Sequence, residues 1–192
     1  MNKRWKIFLL IIIVIALNLG ADQFTKQLAR DNLKTHEYVE VVGQLFVLTL
    51  AENDGAFLSL GSGFPEFIKL ALLYVLPIIA VIGMIIFIFL NKKLTIGQVI
   101  ALATVIGGGI GNLLDRLFRG GWVTDFMNFG FGSVRAGLRT GILNVADLSL
   151  TFGVIALLII TSMHEKKLEH EKKQNSINGE EKKMNSSTDE TV

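Results

Sequence analysis

The chain alternates between long apolar runs and shorter polar stretches. Four runs stand out. Trp5–Ala21 is apolar except for Lys6 and Asn18. Leu70–Leu90 is apolar with Tyr74, Pro77 and Gly83 inside it. Leu94–Leu114 contains Thr95, Gln98, Thr104 and Asn112, and Ile142–Met163 contains Asn144 and Asp147. A helix that crosses a bilayer needs about 17–25 predominantly apolar residues. The pattern therefore predicts a mainly α protein, a four-helix transmembrane unit over residues 1–163 with spans near 5–21, 70–90, 94–114 and 142–163.

The first run also has the basic start and apolar stretch of a cleaved signal peptide. Its exit is poor, because Leu19 stands where cleavage wants a small residue, so retention as a helix is expected. Lys3, Arg4 and Lys6, then Lys92 and Lys93, then Lys166 and Lys167 flank the spans. With an even number of spans these clusters share one side, and basic loops stay cytoplasmic. Both termini are thus expected inside, with loops 22–69 and 115–141 outside. The second outer loop carries Arg116, Arg119, Arg135 and Arg139, which weakens the asymmetry and calls for another explanation.

Within loop 22–69, Tyr38–Val42 and Leu45–Ala51 are rich in β-branched and large apolar residues, with Gly43-Gln44 between them. A two-residue turn with Gly first joins such strands into a hairpin. Trp122, Phe126, Phe129 and Phe131 suggest an interfacial segment along the membrane. The tail, 164–192, is charged and poor in sizeable apolar residues, so helix is expected through Glu165–Lys173 and disorder beyond.

Of the 192 residues, 51% are hydrophobic and 19% charged; a soluble domain carries about 25% charged residues. There is no cysteine, which removes disulfides, thiol catalysis and Cys-ligated zinc. A net charge of +2 gives no reason to expect nucleic acid. His36, His164 and His170 form no ligand pair near the carboxylates, and no Gly-x-Ser-x-Gly elbow occurs.

Ionisable residues at membrane depth are costly and invite a functional explanation. Asp147 lies inside the fourth run with Asn144 one turn earlier, so both share a helix face. Asn112, Asp115, Arg116 and Arg119 follow helical spacing behind Gly107, Gly108, Gly109 and Gly111, which suit close helix packing. Asp115 reads best as structural, pairing with neighbours. Asp125 is, by itself, as readily a turn residue. Taken together, Asp125 and Asp147 flank one outer loop. Two close carboxylates do not both ionise easily, so one stays protonated while the other acts as a base. Such a pair activates water against an amide without a metal. A carrier using Asp125 and Asp147 as an ion relay, or a Ser–Lys peptidase using Lys26, remains open at this point.

The polar blocks resemble those of the lipoprotein signal peptidases (type II signal peptidases). Asp22-Gln23-Phe24-Thr25-Lys26 is similar to that family's Asp-x-x-Thr-Lys. Asn53-Asp54-Gly55-Ala56-Phe57 resembles its Asn-x-Gly-Ala-(Ala/Ser)-Phe segment. Gly111-Asn112-Leu113-Leu114-Asp115-Arg116 resembles Gly-Asn-x-x-Asp-Arg, Val123-Thr124-Asp125-Phe126 resembles Val-x-Asp-Phe, and Asn144-Val145-Ala146-Asp147 resembles Asn-x-Ala-Asp. The five blocks keep the family's order over roughly Trp5–Met163. Phe57 arrives one residue early, Thr140-Gly141-Ile142-Leu143 replaces a Trp-Pro-x-Phe stretch, and Gly130–Gly141 is slightly long.

The resemblance implies an aspartic endopeptidase of the bacterial inner membrane. Its substrates would be prolipoproteins bearing diacylglycerol on the cysteine after the cleavage site, cut just before that cysteine. Asp125 and Asp147 would be the catalytic pair. Asn53, Gly55, Asn112, Arg116 and Asn144 would organise the site or substrate, with Asp22 and Lys26 in support and Asp115 structural. No cofactor or metal is implied. Membrane lipids are expected partners, Arg135 and Arg139 are expected to meet anionic head groups, and a monomer is expected.

Overall fold

The computed structural model describes residues 3–55, 63–134 and 137–189. Ala56, Phe57 and Arg135, singled out above, lie outside the described residues. The chain forms α1 (Lys3–Asn32), β1 (Val39–Val42), β2 (Phe46–Asn53), α2 (Glu66–Leu70), a π-helical turn (Ala71–Val75), α3 (Leu76–Leu90), α4 (Ile96–Phe118), β3 (Val123–Phe131), β4 (Leu138–Arg139) and α5 (Val145–Asp189).

Four helical stretches are long and apolar enough to cross a membrane: Arg4–Asn32, Glu66–Leu90, Ile96–Phe118 and Val145–Gln174. The four expected runs thus match four helices; most boundaries move by two to four residues and two move further. Helix α1 continues eleven residues past the expected end of its apolar run, through Asp22 and Lys26 to Asn32. Those polar residues read as loop because hydropathy averages over all faces, whereas Asp22 and Lys26 sit on the inward face alone. Helix α5 continues to Asp189, past the expected break near Lys173. Lys and Glu are good helix formers, and opposite charges four apart, such as Lys167 and Glu171 at 3.9 Å, favour continuation.

Helix α4 is the central post. Its lipid-facing share is small, and Val99, Leu102, Ala103 and Ile106 join Ile11 and Ile88 in the main apolar core. Its start is a capping box in which Thr95 accepts from the Gln98 N–H and Gln98 accepts from the Thr95 N–H. The glycines let helices close on it. A Cβ on Gly107 would lie 2.8 Å from Asn18 Cβ, and one on Gly108 2.6 Å from the Ala146 carbonyl oxygen. Within the span that precedes it, Pro77 has no N–H to give to the preceding turn. The chain answers with the π turn, in which the Leu76 N–H donates to Ala71.

The expected hairpin is present. β1 and β2 pair antiparallel, and the Leu45 N–H donates to the Val42 carbonyl at 3.1 Å across Gly43-Gln44. Gly43 has a φ of +49°, which suits its place at the head of the turn. The aromatic segment expected to lie along the membrane forms strand β3, paired antiparallel with β2. The sheet order is β1-β2-β3-β4. Its run Val123–Asn128 is buried on both faces, so it lacks the alternation that marks a half-exposed strand. Phe46 and Phe129 face each other in register and stack at 4.7 Å.

Candidate active site

The site is built where β3 and α5 meet the C-terminal parts of α1 and α4. In the β2–β3 ladder Ala51 pairs with Asp125 and Asn53 with Val123. Side chains two apart share a face, so Asn53 and Asp125 are diagonal neighbours on one face of the sheet. The Asn53 amide donates to Asp125 Oδ2 at 2.9 Å. Its orientation is fixed, because Asn53 Oδ1 accepts the Gly55 N–H at 2.9 Å.

Asp147 is placed by helix capping. Asn144 is the N-cap of α5: its Oδ1 accepts the Asp147 N–H at 2.9 Å, and Asp147 Oδ2 accepts the Asn144 N–H at 3.2 Å. This reciprocal box satisfies two backbone donors that the helix start would leave free. A third, the Ala146 N–H, is taken by Asp22 Oδ1 at 2.8 Å. The positive end of the α5 dipole therefore faces a cluster of carboxylates, which it favours. The Asn144 position is held from the other side too, since Leu143 exchanges backbone hydrogen bonds with Met127 of β3.

Asn144 then joins the two aspartates. Its Nδ2 donates to Asp125 Oδ1 at 2.6 Å and to Asn112 Oδ1 at 3.1 Å. Asn112 Nδ2 donates to Asp147 Oδ1 at 2.8 Å. Each amide has its oxygen occupied by a donor, so each nitrogen must point at a carboxylate. Asp125 is 2% and Asp147 5% exposed. Burial, and next the neighbouring Asp147 charge, push the Asp125 carboxyl up to about 7, against the lowering hydrogen bonds from Asn53 and Asn144.

Behind this pair lies a buried ionic cluster. Lys26, fully buried, contacts Asp22 at 2.8 Å, Asp115 at 3.1 Å and Asn112 Oδ1 at 3.0 Å. Asp115 also accepts the Thr124 N–H at 3.1 Å and Gln23 Nε2 at 3.0 Å, tying α4 to the first residues of β3. Its partner is thus Lys26, not its sequence neighbour Arg116. Arg116 donates through Nη2 to the Gly55 carbonyl at 2.6 Å and through Nη1 to the Asn112 carbonyl at 3.3 Å. Its buried Nε has no partner among the described residues.

All ten residues singled out from the sequence therefore fall in one connected network. Arg139 is bonded within the sheet. It donates to the Asn128 side chain, to the Gln44 carbonyl at 2.7 Å and to the Asn128 carbonyl at 3.3 Å, clasping the strands together. Gln23, which also donates to Asp22 at 3.1 Å, went unnoticed. The only signal for it was its place inside the Asp22–Lys26 block.

An apolar groove of about 280 Å³ opens beside Asp147. Leu73, Pro77 and Val81 line one wall, with Gly109 and Leu113 of α4 opposite and Arg116 near the carboxylate. The π turn and Pro77 shape the first wall.

The family model described as signal peptidase (SPase) II matches residues 11–163. The chain belongs to the signal peptidase II family. The lipoprotein signal peptidase of Treponema denticola is 35% identical over 171 residues, covering 88% of this chain and 98% of that protein. The lipoprotein signal peptidase of Chlorobium phaeovibrioides is 37% identical over 166 residues, covering 81% and 89%. A bacterial membrane enzyme solved by the in meso method at 2.3 Å superposes with a TM-score of 0.69 at 27% identity, covering 81% of this chain and 88% of that one. The matched stretch contains every site residue named above. The charged residues after Met163 lie outside the family match.

Proposed function

We propose that this signal peptidase II family member is a membrane aspartic endopeptidase. It removes the signal peptide from diacylglyceryl-modified prolipoproteins and cuts before the lipidated cysteine. The observation that carries the proposal is the Asp125–Asn144–Asn112–Asp147 network, in which every amide nitrogen is aimed at a carboxylate oxygen.

The chemistry follows from two carboxylates that share one proton near neutral pH and titrate as a pair. The ionised member takes a proton from a water molecule, whose oxygen attacks the scissile carbonyl carbon. The protonated member gives its proton to the carbonyl oxygen. In the tetrahedral intermediate the C–N bond then breaks: the carboxyl that took the water proton gives it to the departing cysteine nitrogen, and a hydroxyl proton of the intermediate returns to the ionised carboxylate, restoring the pair. The products are a signal peptide with a free carboxyl group and a lipidated cysteine with a free amine. Arg116 and Asn53 organise the approach, and Lys26 fixes Asn112. Acyl chains enter from the bilayer along the apolar groove beside Asp147, which holds the scissile bond against the pair.

The basic clusters support a topology with both termini in the cytoplasm of a bacterium and the pair at the outer face of the cytoplasmic (inner) membrane. The enzyme works as a monomer, since one chain supplies the whole network. The test is cleavage of a diacylglyceryl prolipoprotein by purified protein with excess chelator, wild type against Asp125→Asn and Asp147→Asn. Each variant is expected to lose at least about 100-fold while staying folded. Near-normal turnover in either would discard the aspartic mechanism.

A further inference from the structure

The opposite face of the same sheet carries a second polar cluster. Thr124 pairs in register with Glu52, one residue out of phase with Asp125, so both turn away from the carboxylate pair. Two guanidinium groups converge on the Thr124 hydroxyl. Arg30, from the end of α1, donates at 3.1 Å, and Arg119, just past α4, donates from its own side. Arg119 has one carboxylate partner, Glu52 at 2.9 Å. Arg30 has none within ion-pair distance among the described residues; its second bond goes to the neutral Gln27 at 2.8 Å. Gln27 in turn donates to Asp31 at 2.9 Å. A pocket bounded by Glu52, Arg119 and Trp122 opens beside them.

The depth of this cluster follows from helix geometry. On α1 the exposed apolar side chains run from Trp5 to Leu28, a rise of about 35 Å at 1.5 Å per residue. On α4 they run from Ile96 to Phe118, about 33 Å. The hydrocarbon core of a bilayer is about 30 Å thick. Arg30 and Arg119 each follow directly on these apolar lengths. Phe118, 81% exposed, directly precedes Arg119, and Trp122, half-exposed, lines the pocket with Arg119 and is of the ring type that settles at the membrane interface. Both arginines therefore stand at head-group depth on the sheet side of the membrane.

We infer that Arg30 and Arg119, fixed on the Thr124 hydroxyl, bind the phosphate of an anionic phospholipid in the leaflet beneath the sheet. Guanidinium groups pair with phosphate through two parallel donors, and both side chains keep donors free of carboxylates for this. The acyl chains would descend past Phe118. The site lies on the far face of β3 from the proposed peptidase chemistry and does not depend on it.

The test is native mass spectrometry of the full chain released from mixed phosphatidylglycerol and phosphatidylcholine micelles, counting the lipid retained. Wild type is expected to retain phosphatidylglycerol preferentially. Each basic residue at a membrane surface is worth about a five-fold preference, so Arg30→Gln with Arg119→Gln should lower it about 25-fold. Arg30→Lys with Arg119→Lys should keep most of it. Glu52→Gln, which removes the competing carboxylate, should raise it, and this arm reads the site even if the glutamine pair does not fold. An unchanged preference in the glutamine pair, or in Glu52→Gln, would overturn the proposal. So would displacement of the lipid by inorganic phosphate at equal concentration, which would mark a free-anion site.

Discussion

Replacing Lys26 by Met tests the ionic cluster behind the carboxylate pair. Lys26 spends its three donors on Asp22, Asp115 and Asn112 at 2.8, 3.1 and 3.0 Å. Its removal leaves two fully buried carboxylates without their shared cation. Breaking a buried ion pair from one side costs about 3–5 kcal/mol. For a domain of this size that is a fall in Tm of roughly 6–20 °C. Adding Asp22→Asn should restore part of the loss. It removes one of the two stranded charges while an amide oxygen still accepts the Ala146 N–H. The assay is thermal unfolding of the three proteins in one detergent, followed by circular dichroism. If Lys26→Met unfolds within about 1 kcal/mol of wild type, or the double variant is no more stable than the single, the cluster is not the electrostatic unit described here. Loss of Lys26 also leaves Asn112 Oδ1 held only by Asn144, so prolipoprotein cleavage should remain low in the double variant even as stability returns.

Three further outcomes are expected. The Asp125 carboxyl, raised to about 7, binds its proton more tightly in the folded than in the unfolded chain. It therefore makes stability fall as pH rises from about 4 to about 7, and Asp125→Asn should flatten that part of the Tm-against-pH curve. A steeper curve in the variant would contradict the sign. A Cβ on Gly111 would lie 2.6 Å from Asp22 Oδ2, whereas one on Gly83 meets nothing within 4 Å. Gly111→Ala should thus cost about 1–3 kcal/mol in detergent unfolding and Gly83→Ala nothing measurable. Asn144→Ala removes a helix cap worth about 0.5–2 kcal/mol. Its activity should fall further than that stability loss explains, because Asp125 loses the Asn144 amide donor and Asn112, which donates to Asp147, loses a partner on its oxygen; parallel losses would reduce Asn144 to a cap.

The parts legible in the sequence are those with a strong periodic or local signal. The four apolar runs gave the spans, and Gly43-Gln44 between β-rich stretches gave the hairpin. Spacing of three put Asn144 and Asp147 on one face, although not that they form a reciprocal helix cap. Three features were hidden. Strand β3 reads as aromatic interface because it is buried on both faces and its partner lies more than seventy residues earlier. The last eleven residues of α1 read as loop because their polar residues are matched by partners on α4 and α5, which a window average does not contain. The clasp made by Arg139 was hidden because only the folded sheet brings the Gln44 and Asn128 acceptors to it. Legibility thus ends where a residue's partner is distant along the chain.

The hydrogen bond from the Ala146 N–H to Asp22 joins the first helix to the start of the last. The same junction supplies Asn144 and Asp147. A ribosome therefore delivers Asp22, Lys26, Asn53, Asn112 and Asp125 into the membrane well before the residues that complete their bonding. Until α5 inserts, the nascent chain holds half a constellation and lacks Asp147. Under the proposed mechanism, activity is then an all-or-none product of late biosynthesis: a chain interrupted before residue 147 would have no weaker version of the enzyme, and a protease that lives in the membrane would stay silent until its own assembly is finished.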